Sequence, residues 1–246
     1  MNTPTTCSMP LPRIWPQWIV KIRSFEFMVL TVALVFLTVM VASGLSTNFD
    51  KLINMHVKGI QGNEKLYILM ITVTSLGDLS TLVIIGIIIT IIRRTRKMGL
   101  IFLISIVFIA ISISYLKPVI GRQAPSYGLQ TSVIFPKYFV LEDDSVAPFA
   151  RGYSYPSNHV AISTVFAFVV GFGLNKKSRF ASLLIWCFPV LIGITKLYIM
   201  QHYLTDIIGG FLLGLIISII MSNVMHLDQP FVMSRFKGKE DADSSQ

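Results

Sequence analysis

Two histidines and an aspartate stand in polar segments that interrupt an otherwise apolar chain. His202 and Asp206 are four residues apart, and His159 directly follows a Pro-Ser-Asn sequence. If the stretch that carries His202 and Asp206 is helical, the two side chains share one face. The carboxylate then holds the Nδ1–H group of the imidazole and leaves Nε2 as a nucleophile or base.

Positive charge lies in the same polar segments, at Lys117, Arg122 and Lys196. A helix that begins after Pro156, with Ser157 or Asn158 as its N-cap, presents N–H groups that bind anions. Two histidines, a carboxylate and several cations suit phosphoryl transfer through a phosphohistidine. One imidazole attacks phosphorus, the other protonates the leaving oxygen, and the cations neutralise the equatorial oxygens.

Each of these features also has an ordinary structural interpretation. The His-x3-Asp pair occurs incidentally on helices, and Lys117 and Lys196 could anchor helix ends by extending to the membrane surface. Asp78 is either functional or solvated by a helix break at the neighbouring glycine. A metal site is disfavoured, because no third histidine or second acidic ligand has a suitable spacing.

The composition identifies the elements that must position these residues. Of 246 residues, 53% are apolar and 13% are charged, and the mean hydropathy is +0.69. These values exclude disordered, collagen-like and disulfide-rich chains, and they indicate a polytopic membrane protein. We predict an all-α fold with six transmembrane helices, built on the apolar runs 27–45, 66–92, 98–116, 160–174, 180–194 and 207–224.

Basic clusters orient the predicted helices. Short basic segments follow the second and fourth spans, and such segments stay cytoplasmic, which places both termini in the cytoplasm. They also account for most of the net charge of +9, so a nucleic-acid partner is not expected. The predicted organisation is a cytoplasmic segment 1–24, a membrane domain 25–226 and a polar tail 227–246. The connection 46–65 is long enough for an interfacial helix.

The three polar segments, in this order and on this topology, resemble the type 2 phosphatidic acid phosphatase superfamily. These membrane lipid phosphatases share a catalytic core with vanadium haloperoxidases. Their pattern is Lys-x6-Arg-Pro, then Pro-Ser-Gly-His, then Ser-Arg-x5-His-x3-Asp, and the resemblance covers roughly residues 66–224. It implies that His202 is the phosphohistidine nucleophile, Asp206 its orienting partner and His159 the general acid. It also implies that Lys117 and Ser157 bind phosphate, and that no metal or other cofactor is needed.

The sequence departs from this pattern at three positions. Ala124 stands where the pattern has the arginine of the first motif, Asn158 replaces its glycine, and Lys196 replaces the arginine of the third motif. Lysine keeps the charge but loses the bidentate geometry of arginine. Arg122 stands two residues before Ala124 and is a candidate substitute. Arg122, Asn158 and Lys196 therefore join the candidate phosphate-binding residues.

The expected function is an integral-membrane lipid phosphatase. It would remove phosphate from a lipid phosphomonoester or pyrophosphate at the outer face of a bacterial-type inner membrane, without a metal. Two alternatives remain open: a lipid phosphotransferase of the same fold, and a catalytically weak relative that binds lipid phosphate. The sequence does not indicate the substrate or the oligomeric state.

Overall fold

The computed structural model describes residues 20–125 and 144–229, and this part of the chain is helical. Its one β-type contact is an isolated bridge between Gln123 and Tyr153. A short 3-10 turn occupies Pro148–Ala150. The helices are α1 (Phe25–Ala42), α2 (Thr47–Ile60), α3 (Glu64–Ser75), α4 (Leu79–Ile91), α5 (Arg96–Ile120), α6 (Asn158–Asn175), α7 (Arg179–Leu184), α8 (Cys187–Tyr198) and α9 (Leu204–Val224).

Five helical segments of the described chain are long and apolar enough to cross a membrane. A sixth is obtained if α3 and α4 are counted as one span, bent by 44°. The bend falls at Gly77 and Asp78, where a helix break is one of the two interpretations that the sequence allows for Asp78. The predicted count of six spans therefore holds only with this broken span included.

Polar flanks lengthen the two apolar runs that are too short to span a bilayer alone. Helix α6 begins at Asn158 rather than Val160, and the segment Arg179–Tyr198, formed by α7 and α8, extends beyond the fifth run. The added turns carry His159 and Lys196, so the extensions bring candidate site residues onto the helices. Helix α2 occupies the connection in which the sequence suggested an interfacial helix.

Helix α6 is the centre of the bundle and packs against α5, α7, α8 and α9. Its first two turns are almost entirely buried, from Asn158 to Val165. By contrast, the apolar side chains of α1 are mostly exposed, with Val32 and Phe36 both more than 60% accessible. An apolar helix with an accessible surface of this kind suits contact with lipid.

Glycines on α9 allow this helix to approach the beginning of α6. A Cβ atom at Gly210 would clash with the carbonyl oxygen of Ser157, and one at Gly214 would lie 2.5 Å from that of Ala161. Lipid tails are as apolar as leucine, so helices in a membrane associate largely through close packing of small residues. The glycine face therefore fixes the start of α6 against α9.

We expect Gly210→Ala to destabilise the protein, because the added methyl group meets backbone rather than a flexible side chain. Overpacking of this kind costs about 1–3 kcal/mol. Thermal unfolding in detergent measures the effect. Gly59→Ala is the matched control, since Gly59 lies within α2 with nothing near its missing Cβ, and it should be neutral or stabilising. Equal melting temperatures for the two variants would contradict the prediction.

Candidate active site

Lys117 lies in the last turn of α5, and its side chain is fully buried. The helix continues past Pro118 to Ile120, and the C-cap residue Gly121 has a φ of 68°, a left-handed conformation that suits glycine. The Lys117 Nζ atom donates hydrogen bonds to the backbone oxygen and to Oδ2 of Asp144, both at 3.0 Å, and to Oγ of Ser145 at 3.1 Å. The buried ammonium is therefore paired rather than extended to the membrane surface.

The Asp144 carboxylate also accepts hydrogen bonds from the beginning of α6. The backbone N–H of Asn158 donates to Oδ2 at 2.8 Å, and that of His159 donates to Oδ1 at 3.1 Å. Ser157 is the N-cap residue but makes no side-chain capping bond. The first N–H groups of a helix attract negative charge, and here they hold a carboxylate.

Both histidines contact this same carboxylate. The Nδ1 atom of His159 is hydrogen-bonded to Oδ1 of Asp144, and the Nε2 atom of His202 lies 3.2 Å from Oδ2. We call this arrangement the anion seat: the Lys117 ammonium, the N–H groups of residues 158 and 159, and the imidazoles of His159 and His202. Its occupant is the Asp144 carboxylate, which bears oxygens and negative charge as a phosphate does.

The far side of the His159 ring faces another acid. Its Nε2 atom lies 3.1 Å from Oδ1 of Asp78, which stands at the break between α3 and α4. Both ring nitrogens thus face carboxylate oxygens, and an imidazolium in this position donates at both ends. Of the two alternatives for Asp78, this contact favours a functional role, because the carboxylate contacts a candidate site residue.

His202 and Asp206 meet, but not on a helical face. Helix α9 begins at Leu204, so His202 precedes it, and Asp206 occupies its first turn. The Oδ2 atom of Asp206 accepts a hydrogen bond from the backbone N–H of Tyr203 at 2.9 Å and lies 3.6 Å from Nδ1 of His202. The helical premise of the sequence analysis is wrong, because the chain turns at Tyr203. The turn itself nevertheless brings the two side chains together.

The charges around the seat shift two acid–base equilibria. Burial alone would raise the pKa of Asp144, but the Lys117 ammonium and His202 hold that pKa well below its ordinary value. Burial likewise opposes protonation of His202, yet Asp144 and Asp206 raise the pKa of its imidazole. A buried anion therefore stabilises positive charge on both Lys117 and His202.

The other predicted cations have protein partners. Arg122 binds Asp206 Oδ1 through Nη1 at 2.9 Å and Asp50 Oδ2 through Nη2. Buried Lys196 donates to the side-chain oxygen of Gln201 at 2.7 Å. Ala124 forms a backbone hydrogen bond with the oxygen of Gly152, and its methyl side chain supplies no charge. Among the candidate cations, Lys117 is the one whose contacts define the seat.

Among the candidate phosphate-binding side chains, two polar atoms remain without hydrogen bonds in the described structure. They are Oγ of Ser157 and Oδ1 of Asn158, both buried beside the seat. Unsatisfied buried polar atoms are uncommon in proteins. The backbone of Asn158, rather than its side chain, contacts the present occupant.

Comparisons with known proteins can now be set against this geometry. The family model of the PAP2 superfamily matches residues 98–230, which is more than half of the chain. The chain belongs to the PAP2 superfamily. This confirms the resemblance found in the motifs. Among curated proteins, no significant match is found.

Two solved structures share the fold. The crystal structure of a transmembrane PAP2-type phosphatidylglycerolphosphate phosphatase from Bacillus subtilis aligns with a TM-score of 0.65 at 22% identity, covering 85% of this chain and 100% of that one. Aquifex aeolicus LpxE aligns with a TM-score of 0.54 at 20% identity, covering 72% of this chain and 94% of that one. At these identities the likeness concerns the fold.

The PAP2 match separates the site residues into two groups. Lys117, His159 and Asp206 fall inside the matched region, whereas Asp50 and Asp78 precede it. The sequence analysis missed both Asp50 and Asp144. Asp50 carries one usable signal: it is an acid within a stretch expected to form a helix at the membrane, where a buried charge requires a partner.

Proposed function

We propose that this PAP2 superfamily member is an integral-membrane lipid phosphatase that acts through a phosphohistidine at His202. The anion seat carries this proposal. An ammonium, two helix N-terminal N–H groups and two imidazoles converge on one buried carboxylate, Asp144, whose oxygens stand in for those of a phosphate. The substrate is a lipid phosphomonoester or pyrophosphate, in keeping with the phosphatidylglycerolphosphate phosphatase from Bacillus subtilis that shares the fold.

In the first step, phosphate replaces Asp144 in the seat. The Nε2 atom of His202 then bonds to phosphorus while the bond from phosphorus to the lipid oxygen breaks. His159, whose Nδ1 faces the seat, gives its proton to that oxygen, and Asp78 holds the opposite nitrogen. Lys117 and the helix N–H groups neutralise the non-bridging oxygens, and Asp206 orients Nδ1 of His202.

In the second step, water attacks the phosphorus of the phosphohistidine. The neutral His159 now takes a proton from that water as the bond between phosphorus and Nε2 breaks. Inorganic phosphate leaves, and both histidines return to their starting protonation states. The chain's own residues supply every proton transfer in this scheme, so we propose that hydrolysis is independent of a metal.

We propose that the seat faces the outside of a bacterial-type inner membrane. It lies at the end of α5 and the beginnings of α6 and α9, whereas the clusters Arg93–Lys97 and Lys176–Arg179 lie at the opposite helix ends. Short basic loops favour the cytoplasm.

In a cysteine-free background, we expect a membrane-impermeant thiol reagent to label Asn63→Cys and not Lys177→Cys in intact cells. The reverse pattern would contradict this orientation.

Lipid phosphotransfer is the second candidate, and a weak lipid-phosphate-binding relative the third. The observation that favours them is Ala124, which leaves the first motif without its arginine. Loss of one transition-state donor costs roughly 3 kcal/mol, or about 100-fold in rate. The intact set of His159, His202 and Asp206 favours an enzyme.

The test is phosphate release by the detergent-purified protein from a panel of lipid phosphates and pyrophosphates, with EDTA present. We expect release that resists EDTA, together with an acid-labile, alkali-stable phosphoprotein after rapid quenching. A phosphoprotein that discharges only when an acceptor lipid is added would support the transferase. If neither free phosphate nor a phosphoprotein is formed, the enzyme proposal is overturned. Loss of phosphate release in the presence of EDTA would overturn metal independence.

A further inference from the structure

A fully buried acid on helix α2 joins the candidate active site from outside the region matched by the family. The side chain of Asp50 has 0% exposure. Its Oδ1 atom accepts a hydrogen bond from the backbone N–H of Thr205 at 3.2 Å, and Oδ2 accepts one from the Thr205 hydroxyl at 2.6 Å. The Nη2 atom of Arg122 also donates to Oδ2. Thr205 is in the first turn of α9, directly before Asp206.

Arg122 links this acid to the partner of His202. Its Nη1 atom donates to Oδ1 of Asp206 at 2.9 Å and to the Thr205 hydroxyl, and its guanidinium lies 4.2 Å above the centre of the Tyr203 ring. The other carboxylate oxygen of Asp206 faces Nδ1 of His202. A continuous chain of contacts therefore runs from Asp50 through Arg122 to Asp206 and His202.

The charges in this chain explain why a second acid is present. A guanidinium paired with Asp206 alone would offset the negative charge that Asp206 presents to His202. Asp50 adds one further negative charge, so the cluster of two carboxylates and one guanidinium retains a net charge of −1 beside the imidazole. Asp50 also holds Nη2 of the guanidinium while Asp206 holds Nη1, so both terminal nitrogens are fixed.

We propose that Asp50 is a positioning residue for the His202–Asp206 pair: it anchors Arg122 and keeps the charge beside His202 negative. The effect of Asp50 on catalysis rests on the proposed function, because the ring of His202 gains positive charge while the phosphohistidine forms. Its electrostatic consequence does not depend on turnover. Asp50 touches neither the seat nor its occupant in the described contacts, so it acts through Arg122, Thr205 and Asp206.

The titration of His202 tests the inference directly. Asp144 faces this ring at Nε2 and Asp206 at Nδ1. Lys117 and His159 contact Asp144, Arg122 contacts Asp206, and Asp50 contacts Arg122. Histidine-labelled protein contains four imidazoles, and the signal lost in His202→Ala identifies the one of interest. We expect Asp50→Asn to move its NMR titration midpoint to lower pH by about 0.5 or more, because one nearby negative charge is lost.

Asp50→Ser is the second variant. Asparagine and serine differ in shape but delete the same charge, so an electrostatic role predicts similar midpoints for both. Asn54→Leu is the matched control: Asn54 is buried one turn along α2, and its side-chain amide has no hydrogen bond in the described structure. This control should leave the midpoint unchanged. Unchanged midpoints in the folded Asp50 variants, or an equal shift in Asn54→Leu, would overturn the inference.

Kinetics then connects the titration to chemistry. If the wild-type protein hydrolyses lipid phosphate, Asp50→Asn should lower kcat by about tenfold or more while KM stays within about threefold. A shifted midpoint with no wild-type turnover would support the positioning of His202 and overturn the proposed function. Wild-type turnover with an unshifted midpoint would support the proposed function and overturn the positioning of His202 by Asp50. The failure of one proposal can therefore be told from the failure of the other.

Discussion

Replacement of His202 by alanine should reduce phosphate release by at least about a thousandfold, because the variant lacks the imidazole that we propose forms the covalent intermediate. In the structure, Nε2 of His202 faces the occupant of the anion seat, and Nδ1 faces Asp206. The rate of the variant is measured on the best lipid substrate of the wild-type protein. The phosphoprotein trapped by rapid quenching should disappear in parallel.

His56→Ala is the matched control, because His56 is exposed on α2 and bonds only to the backbone oxygen of Leu52 in the described structure. It should retain full activity. The double variant His202→Ala with Asp206→Ala should be no slower than His202→Ala alone, since residues that act as a unit are not additive. A His202→Ala protein that still forms a phosphoprotein would identify another nucleophile and contradict the mechanism.

Replacement of Asp144 by asparagine should lower the KM for lipid phosphate and the inhibition constant of inorganic phosphate by about tenfold or more. In the structure this carboxylate occupies the seat that we propose for the substrate phosphate, and on this proposal phosphate binds only in the fraction of molecules from which Asp144 has withdrawn. Asparagine keeps the size and removes the charge. The Lys117 ammonium would then lack its anion and would bind phosphate more strongly.

The pH profile of the same variant has a defined direction. Asp144 raises the pKa of His202, and the nucleophile must be neutral to attack. Removing this carboxylate lowers that pKa, so the acid limb of the kcat/KM profile should move to lower pH. Asp228→Asn, which removes an exposed carboxylate, should leave both KM and the profile unchanged.

Thermal unfolding gives a readout of Asp144 that is independent of turnover. Removing one member of a buried ion pair destabilises a protein, by about 3–5 kcal/mol in well-packed cases. Added phosphate should therefore raise the melting temperature of Asp144→Asn more than that of the wild type. A lowered kcat with unchanged KM and no greater phosphate stabilisation would indicate that Asp144 takes part in chemistry instead of competing with substrate.

The helices could be predicted because the bilayer imposes a strong pattern on the sequence. Long apolar runs and short basic loops located the spans, and the bend between α3 and α4 agrees with the helix break that was one of two alternatives for Asp78. The polar segments around Lys117, His159 and His202 do converge, on Asp144. The sequence therefore predicts which polar side chains come together when they lie at the ends of predicted spans.

The remaining features depend on contacts that leave no periodic signal. Asp144 follows a long connection, and nothing in that stretch predicts that its carboxylate reaches the seat. Asp50 lies in a helix of mixed composition, and its role depends on Arg122, which the sequence suggested as a phosphate ligand. His202 and Asp206 meet around a turn, although their spacing suggested a shared helical face.

The glycine face of α9 has a consequence for an enzyme that works in membranes of varying thickness. Because Gly210 and Gly214 bring α9 against the backbone of α6, the helices that follow His202 and carry His159 are held together without intervening side chains. A bilayer that is too thick or too thin is accommodated by helix tilt. We therefore expect the two imidazoles to keep their separation as lipid composition changes.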